Sequence, residues 1–187
     1  MLKLLASLIL KIMGWKVVGE IPEEVKKAVV LSAPHTSNFD FFIGRLGLWY
    51  KGYPVYFLIK KEAFKPAFVG WILKKAGGIP VDRGKSSSTT KKIAEELKKR
   101  DNIYLVITPE GTRSLVKTWK RGFYYIALEA GIPIVLGFVN YPQKEAGFGP
   151  VFYPTGDYEK DIKEIQKFYY DKGAKHPENF NLSPQNR

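Results

Sequence analysis

The chain has 187 residues, of which 45% are hydrophobic, so it is long enough to form one domain around a full apolar core. Thirty Lys and Arg residues against 18 Asp and Glu residues give a formal net charge of +12, and a basic protein of this size usually meets nucleic acid, an anionic membrane or phosphorylated substrates. The absence of cysteine excludes disulfides, Cys-ligated zinc and thiol catalysis, and the presence of only two histidines argues against a His-rich metal site.

The first 15 residues predict a short amphipathic helix. At 1.5 Å per residue it would reach about 22 Å, which is too short for a bilayer core of about 30 Å. Lys3, Ser7 and Lys11 recur every four residues and form one polar stripe, while large apolar residues cover the rest. This pattern favours a helix lying in the membrane interface with Trp15 at the water boundary. The alternative is a helix that packs on its own domain.

Apolar runs and helical patterns alternate through residues 16–171. Strands are predicted at 28–33, 55–59, 79–81, 103–108 and 133–139, with a weak one at 151–153, and helices at 39–50, 67–76, 86–100, 122–130 and 157–170. The alternation predicts a single α/β domain with a mainly parallel central sheet flanked by helices. The segment 172–187 is polar and aperiodic, and we expect it to be a loose tail.

A histidine and an aspartate lie five positions apart directly after the first predicted strand, in the stretch HTSNFD at 35–40. Five helical steps would place the two side chains about 140° apart. They can meet only if His35 lies on the turn and Asp40 lies in the first turn of the following helix, which Ser37 or Asn38 would cap. Such an aspartate would leave the second imidazole nitrogen free to act as a base. The alternative is a turn histidine beside an aspartate that only caps the helix.

A second polar cluster follows the predicted strand at 79–81. In folds of this class, ligands bind beyond the carboxyl ends of the parallel strands. Arg83 comes just past this strand, and its planar guanidinium matches the geometry of phosphate. The alternative is a surface turn in which Asp82 and Arg83 face the solvent.

A third cluster, EGTRS at 110–114, follows the predicted strand at 103–108. Gly111 allows a positive φ that would expose backbone amides, Thr112 adds a hydroxyl donor and Arg113 adds a guanidinium. Glu110 could hold an arginine or accept a hydrogen bond from a substrate hydroxyl. Together these residues predict an anion-binding turn. The alternative is a tight polar turn with an internal pair between Glu110 and Arg113.

Taken together and in this order, the clusters resemble the sequence blocks of the glycerolipid acyltransferase family, whose best-known members are the 1-acylglycerol-3-phosphate acyltransferases. The matching blocks are a His and an Asp separated by four residues (His35 and Asp40), a strand-edge segment that ends in arginine (79–83), a Glu-Gly-Thr-Arg-Ser segment (110–114) and an apolar run with a proline (131–135). The basic stretch at 60–62 also looks like family members in which a lysine, here Lys61, touches the phosphate. The resemblance covers roughly residues 28–140.

The resemblance implies an acyltransferase of phospholipid synthesis that needs no metal and no organic cofactor. His35, oriented by Asp40, would deprotonate a hydroxyl of a phosphate-bearing lysolipid acceptor. Arg83, Lys61 and residues 110–113 would bind the substrate. The acyl donor would be acyl-CoA or acyl carrier protein, and the enzyme would work as a monotopic or peripheral protein on the cytoplasmic face of an anionic membrane. No nucleic-acid partner is expected.

Three other functions stay open at this point. An acyl-thioester hydrolase would use the same His and Asp on water, and a phospholipid transacylase would take the acyl chain from a phospholipid. The third is a basic nucleic-acid-binding module, which the net charge of +12 permits. The sequence contains neither a zinc finger nor an aromatic RNA-binding motif of the kind such modules use.

Overall fold

The computed structural model describes residues 2–81 and 86–187, and the side chains of residues 86–88 also lie outside the description. The α-helices are α1 (Leu2–Ile12), α2 (Asn38–Lys51), α3 (Ala67–Lys75), α4 (Ser86–Lys98), α5 (Gly122–Ala130) and α6 (Tyr158–Lys167). The strands are β1 (Lys16–Val18), β2 (Lys27–Ser32), β3 (Val55–Lys60), β4 (Gly78–Val81), β5 (Ile103–Ile107), β6 (Ile134–Asn140) and β7 (Glu145–Phe152). Short 3-10 helices lie at Lys61–Phe64 and Pro177–Asn179.

These strands form one sheet in the order β1-β7-β6-β2-β5-β3-β4. The block from β6 to β4 is parallel throughout. Strand β7 runs antiparallel to β6, and β1 runs parallel to β7. The prediction of an α/β domain with a mainly parallel, helix-flanked sheet is therefore confirmed.

The antiparallel edge of the sheet was the part that the pattern predicted least well. The sequence predicted only a weak strand at 151–153 and no strand near residue 17, whereas β7 is eight residues long and pairs with β1. Glycines obscure the strand pattern here because they allow a close approach of the two backbones. A Cβ on Gly147 would lie 1.9 Å from the carbonyl oxygen of Val18, and one on Gly19 would lie 1.9 Å from that of Phe148.

Helices cover the sheet on both faces. On one face, α4, α5 and α6 pack through residues such as Leu97, Phe123 and Ile165 against Leu31 and Leu105. On the other face, α2 packs on the sheet and α1 packs on α2. Helix α3 differs from the others, because its only buried residue is Gly70.

Helix α1 is present as predicted, and its inner side is buried through Ala6 and Leu10. Its outer side leaves Leu4, Leu8 and Ile12 more than half exposed. The prediction for Trp15 was wrong, because this side chain is buried within the domain. Among the described residues, no helix combines the length and the apolar character that crossing a bilayer requires.

The segment 172–187 is not the loose tail that its composition predicted. Phe180 is fully buried in the main core, and the side chain of Asn181 accepts a hydrogen bond of 3.0 Å from the indole of Trp119. The backbone N–H of His176 donates to the hydroxyl of Thr36 at 3.2 Å. The prediction failed because single apolar residues, delivered by turns, can fill a core without any helical or strand periodicity.

Candidate active site

Two of the three predicted polar clusters meet at the carboxyl edge of the parallel strands. His35 follows β2, residues 108–114 follow the neighbouring strand β5, and Lys61 follows β3. The backbone N–H of His35 is bonded to the carboxyl group of Glu110, 75 positions away, at 3.0 Å. The first and third clusters therefore form one site, as the position of their strands predicted.

His35 and Asp40 form the pair that the spacing predicted. Nδ1 of His35 lies 3.3 Å from Oδ2 of Asp40, which is slightly longer than a normal N–H···O hydrogen bond. The histidine side chain is 20% exposed and lines the main cavity, whereas the aspartate is only 4% exposed. This geometry holds one nitrogen of the ring against a buried carboxylate and leaves the ring accessible to a ligand.

Asp40 caps helix α2 in addition to its contact with His35. Ser37 is the N-cap residue and Asp40 is the third helical residue, and together they form a capping box. Oδ2 of Asp40 accepts hydrogen bonds from the N–H groups of Thr36 at 2.7 Å and Ser37 at 2.8 Å. Burial by itself would raise the pKa of Asp40, but the hydrogen bonds from His35, Tyr141, Ser37 and Thr36 lower it. The carboxylate is therefore charged at neutral pH.

Tyr141 is a site residue that the sequence analysis missed. It follows β6, and its hydroxyl donates a hydrogen bond of 2.5 Å to the free oxygen Oδ1 of Asp40, 101 positions away. Burial and the contact with the Asp40 carboxylate raise the pKa of Tyr141, so it stays a donor. The Trp15 ring packs edge-on against Tyr141 at 5.2 Å. No local motif signals Tyr141, because its role depends on the pairing of β6 with β2.

Glu110 lies elsewhere than expected. It is only 1% exposed and sits behind the histidine turn, where it holds the backbone of His35 rather than a substrate or an arginine. Both Glu110 and Arg113 are described, and no ion pair joins them. Burial raises the pKa of Glu110 to about 8, since hydrogen bonds from its own N–H and that of His35 offset the effect only in part. Glu110 is therefore mostly protonated at neutral pH.

The turn after β5 brings two cationic side chains, Arg113 and Lys120, close to the segment that carries His35. Gly111 has the expected positive φ of 64°, although its N–H donates to the carbonyl of Thr108 and is not free for a ligand. A Cβ on Gly111 would lie 2.6 Å from Nζ of Lys120, so this ammonium sits directly over the turn. Arg113 bonds to Asn38 at the start of α2. Lys120 is a cation that the sequence analysis missed, since no spacing relates it to residues 110–114.

The remaining predicted residues are placed differently. Thr112 lines the main cavity with Arg113. Lys61 lies exposed in the 3-10 helix after β3 and is not among the residues that line this cavity. Arg83 lies outside the described residues, although Val81, at the end of β4, lines the cavity. Within the described part of the chain, no cluster of three or more His, Asp or Glu side chains could hold a metal ion.

The site opens into a mostly apolar cavity of about 1690 Å³. On the side of α2, its wall includes Phe41, Arg45, Trp49 and Phe57. The Arg45 guanidinium stacks over Trp49 at 5.0 Å and over Phe57 at 5.2 Å. Its Nη1 is buried without a hydrogen-bond partner, and burial lowers the pKa of this guanidinium. The cavity therefore offers a large, mostly apolar space beside His35, and cationic side chains such as Arg113 and Lys120 line part of it.

Fold and site together define a class: an α/β domain with a His–Asp pair at the carboxyl edge of its sheet, next to a large apolar cavity. Comparison with known proteins narrows this class. The sequence model of the family described as Acyltransferase matches residues 15–135. The chain therefore belongs to the acyltransferase family, and its resemblance to the glycerolipid acyltransferases is confirmed.

Individual relatives agree with this assignment. The chain is 28% identical over 167 residues to a 1-acyl-sn-glycerol-3-phosphate acyltransferase of Pseudomonas aeruginosa, covering 79% of this chain and 62% of that protein. It is 27% identical to the enzyme of that name from Limnanthes douglasii, covering 71% and 48%. It is 34% identical to a probable one from Mycoplasma pneumoniae, covering 70% and 52%. The chain thus spans about half to three fifths of the length of these relatives.

A solved structure supports the fold. The crystal structure of the 1-acyl-sn-glycerophosphate acyltransferase PlsC from Thermotoga maritima superposes with a TM-score of 0.61. The superposition covers 89% of this chain and 74% of that chain at 18% sequence identity. At this level of identity the likeness shows the shared fold.

Proposed function

We propose that this protein transfers a fatty acyl group from a thioester to a hydroxyl of a phosphate-bearing lysolipid. The observation that carries the proposal is the contact of 3.3 Å between His35 and Asp40 at the mouth of a large apolar cavity. A general base of this kind must be reachable by the hydroxyl that it deprotonates, and His35 is the partly exposed member of the pair. The names of the relatives point to the same chemistry.

The transfer needs one proton to move twice. Neutral His35 takes the proton of the acceptor hydroxyl as its oxygen attacks the thioester carbonyl carbon. The carbon–sulfur bond then breaks, and the imidazolium returns the proton to the leaving thiolate. Asp40 stabilises the imidazolium between these steps and is itself held by Tyr141 and by the N–H groups of Thr36 and Ser37. A thiol and the acylated lipid are released.

The acceptor phosphate would bind the cationic side chains that line part of the cavity. Arg113 and Lys120 lie beside Gly111, on the turn that contacts the histidine segment, and a guanidinium suits a phosphate because it donates in a planar fork. Arg83 and Lys61 are proposed to assist from the neighbouring strand ends. Fixing the phosphate places the acceptor hydroxyl against His35 and converts an encounter of two molecules into a positioned reaction.

The acyl chain would lie in the apolar cavity, and the donor would be acyl-CoA or acyl carrier protein. Both donors are anionic, which suits a chain with a net charge of +12. The proposed location is the cytoplasmic face of an anionic membrane, with α1 as a monotopic attachment. Its exposed residues Leu4, Leu8 and Ile12 form the apolar side, and the lysines Lys3 and Lys11 can meet lipid headgroups.

The decisive experiment is mass spectrometry of the lipids formed from a mixed lysolipid pool with acyl-CoA or acyl carrier protein. The parent protein should acylate phosphate-bearing acceptors, and His35→Ala should lower the rate by about 10²- to 10⁴-fold. His176→Ala is the matched control, because this second histidine has a half-exposed side chain paired only with Glu178. Equal rates for the parent and the His35→Ala protein would contradict the mechanism.

The same assay separates the other functions. Thioester consumption without any acylated product would indicate a hydrolase. Product formation from phospholipid alone, without a thioester, would indicate a transacylase. Salt-dependent binding to nucleic acid with no acyl turnover would indicate a binding module.

A further inference from the structure

Helix α3 presents an apolar surface that the domain does not cover. Phe68, Val69, Trp71 and Ile72, here called the α3 patch, are 73%, 42%, 56% and 42% exposed. The rings of Phe68 and Trp71 stack on each other at 6.5 Å. Isolated exposed apolar residues are ordinary, but a contiguous group with two aromatic rings marks an interaction surface.

The patch is exposed because α3 touches the domain through its smallest residue. A Cβ on Gly70 would lie 2.5 Å from the carbonyl oxygen of Phe64, so the helix backbone rests directly on the preceding 3-10 helix. The larger side chains therefore point away from the contact. Helix α3 therefore packs on the domain with its large apolar residues facing outward. A helix that contributes to a core has the opposite orientation.

The positive charges around the α3 patch favour an anionic partner. Lys60, Lys61 and Lys65 precede α3, and Lys74 and Lys75 form its last turn, while Glu62 is the only acidic residue between 60 and 75. The ammonium of Lys75 lies 4.8 Å from the centre of the Trp71 ring. Aromatic residues flanked by lysines are typical of a helix in the interface of an anionic bilayer.

A second group of exposed apolar residues lies near the His–Asp pair. Phe41 and Phe42, in the first turns of α2 beyond the His–Asp segment, are 56% and 43% exposed. Phe41 contacts Phe57 of β3 edge-on at 5.3 Å, and α3 follows β3. In the sheet order, β2 with His35 is the central strand, whereas α1 leads into edge strand β1 and α3 into edge strand β4.

We propose that the α3 patch enters the interface of an anionic bilayer as a second attachment beside α1, so that the two attachments hold the mouth of the His35 site against the lipid. One helix fixes a protein to a surface but leaves it free to rotate about that helix. Two attachments on either side of β2 fix the orientation as well. The proposal rests on the proposed function for its purpose, but binding can be measured without any turnover.

The first test is co-sedimentation of the full chain with phosphatidylcholine vesicles that contain phosphatidylglycerol. The double variant Phe68→Gln/Trp71→Gln should bind at least about tenfold more weakly, since it removes on the order of 200 Å² of apolar surface that the bilayer would cover. Tyr153→Gln is the matched control, because Tyr153 is 65% exposed and follows β7, the strand that pairs with edge strand β1 on the side of the sheet opposite β4. Equal loss in the control, or no loss in the double variant, overturns the proposal.

The second test measures whether the Trp71 side chain enters the bilayer, and it does not depend on a variant that could be destabilised. Brominated phosphatidylcholine in the same vesicles should quench part of the tryptophan fluorescence of the parent protein. The Trp71→Phe variant should bind equally well and lose that quenching, because Trp15 and Trp119 are buried and Trp49 is half-buried. Identical quenching in both proteins would place Trp71 outside the bilayer and refute the assignment.

A second copy of the chain is the competing occupant of the patch. Sedimentation velocity would then detect a dimer that the Phe68→Gln/Trp71→Gln variant dissociates, with vesicle binding unchanged, and this result overturns the proposal. If acyl transfer fails in every lipid assay while vesicle binding still depends on the patch, the proposed function is wrong and the attachment stands.

Discussion

The buried carboxyl group of Glu110 makes a strong prediction about stability and pH. Its ordinary pKa is 4.5, and burial raises it to about 8 in the folded protein. Between these two values the unfolded chain releases the proton while the folded chain keeps it. Stability must therefore fall as the pH rises from about 4.5 to about 8, and the loss is complete above the folded pKa. One pKa unit corresponds to about 1.4 kcal/mol, so the total is on the order of 5 kcal/mol.

The substitution Glu110→Gln removes this titration and keeps the shape of the side chain. Its amide oxygen can still accept the hydrogen bond from the N–H of His35, which Oε1 of Glu110 accepts now. Its NH₂ group takes the place of Oε2, which is buried without a partner, and this exchange adds a constant cost of about 1–3 kcal/mol. The variant should therefore be less stable than the parent near pH 5 and gain on it by about 1.4 kcal/mol per pH unit up to about pH 8.

Urea unfolding of both proteins at pH 5, 6, 7 and 8, followed by tryptophan fluorescence, measures this difference. All other titratable groups are present in both proteins, so their contributions cancel in the comparison. A difference in unfolding free energy that stays constant from pH 5 to pH 8 would refute the reasoning. It would mean that Glu110 ionises at the same pH in the folded and unfolded chain and that its burial is not maintained in solution.

Further predictions concern single contacts and can be checked by equilibrium unfolding. Tyr141→Phe removes the hydrogen bond to Asp40 and should cost about 1.5–3 kcal/mol, because the acceptor is charged; carboxyl NMR titration should show a higher pKa for Asp40. An unchanged pKa would mean that this bond is absent in solution. Phe180→Ala should cost about 3–5 kcal/mol if the segment 172–187 belongs to the core, and a cost near zero would restore the prediction of a loose tail. Gly111→Ala should cost about 1–2 kcal/mol because φ is positive there. Gly122→Ala, at an ordinary φ with open space around it, should be neutral or stabilising.

The sequence predicted the features that depend on neighbouring residues. His35 and Asp40 are five positions apart, and the cap at Ser37 converts that spacing into a contact. The parallel strands were predictable because each is a short apolar run, and the central strands β2, β5 and β6 are largely buried on both faces. The positive φ at Gly111 followed from its place in a tight turn.

The features that the sequence did not predict depend on distant parts of the chain. The bond from Tyr141 to Asp40 joins residues 101 positions apart, and that from His35 to Glu110 joins residues 75 positions apart. Glutamate after a strand is usually a surface residue, so its burial behind the histidine turn could be seen only once β2 and β5 were paired. Lys120 lies over Gly111 for the same reason.

The contacts of the segment 172–187 also set an order of events during synthesis. Thr36, the residue after His35, accepts a hydrogen bond from the backbone of His176, 140 positions later, and the ribosome makes His176 after every strand of the sheet. Helix α1 precedes every strand of the sheet in the chain, and its residues Leu4 and Leu8 are exposed. The turn that carries His35 therefore receives this support only after the whole sheet has been synthesised.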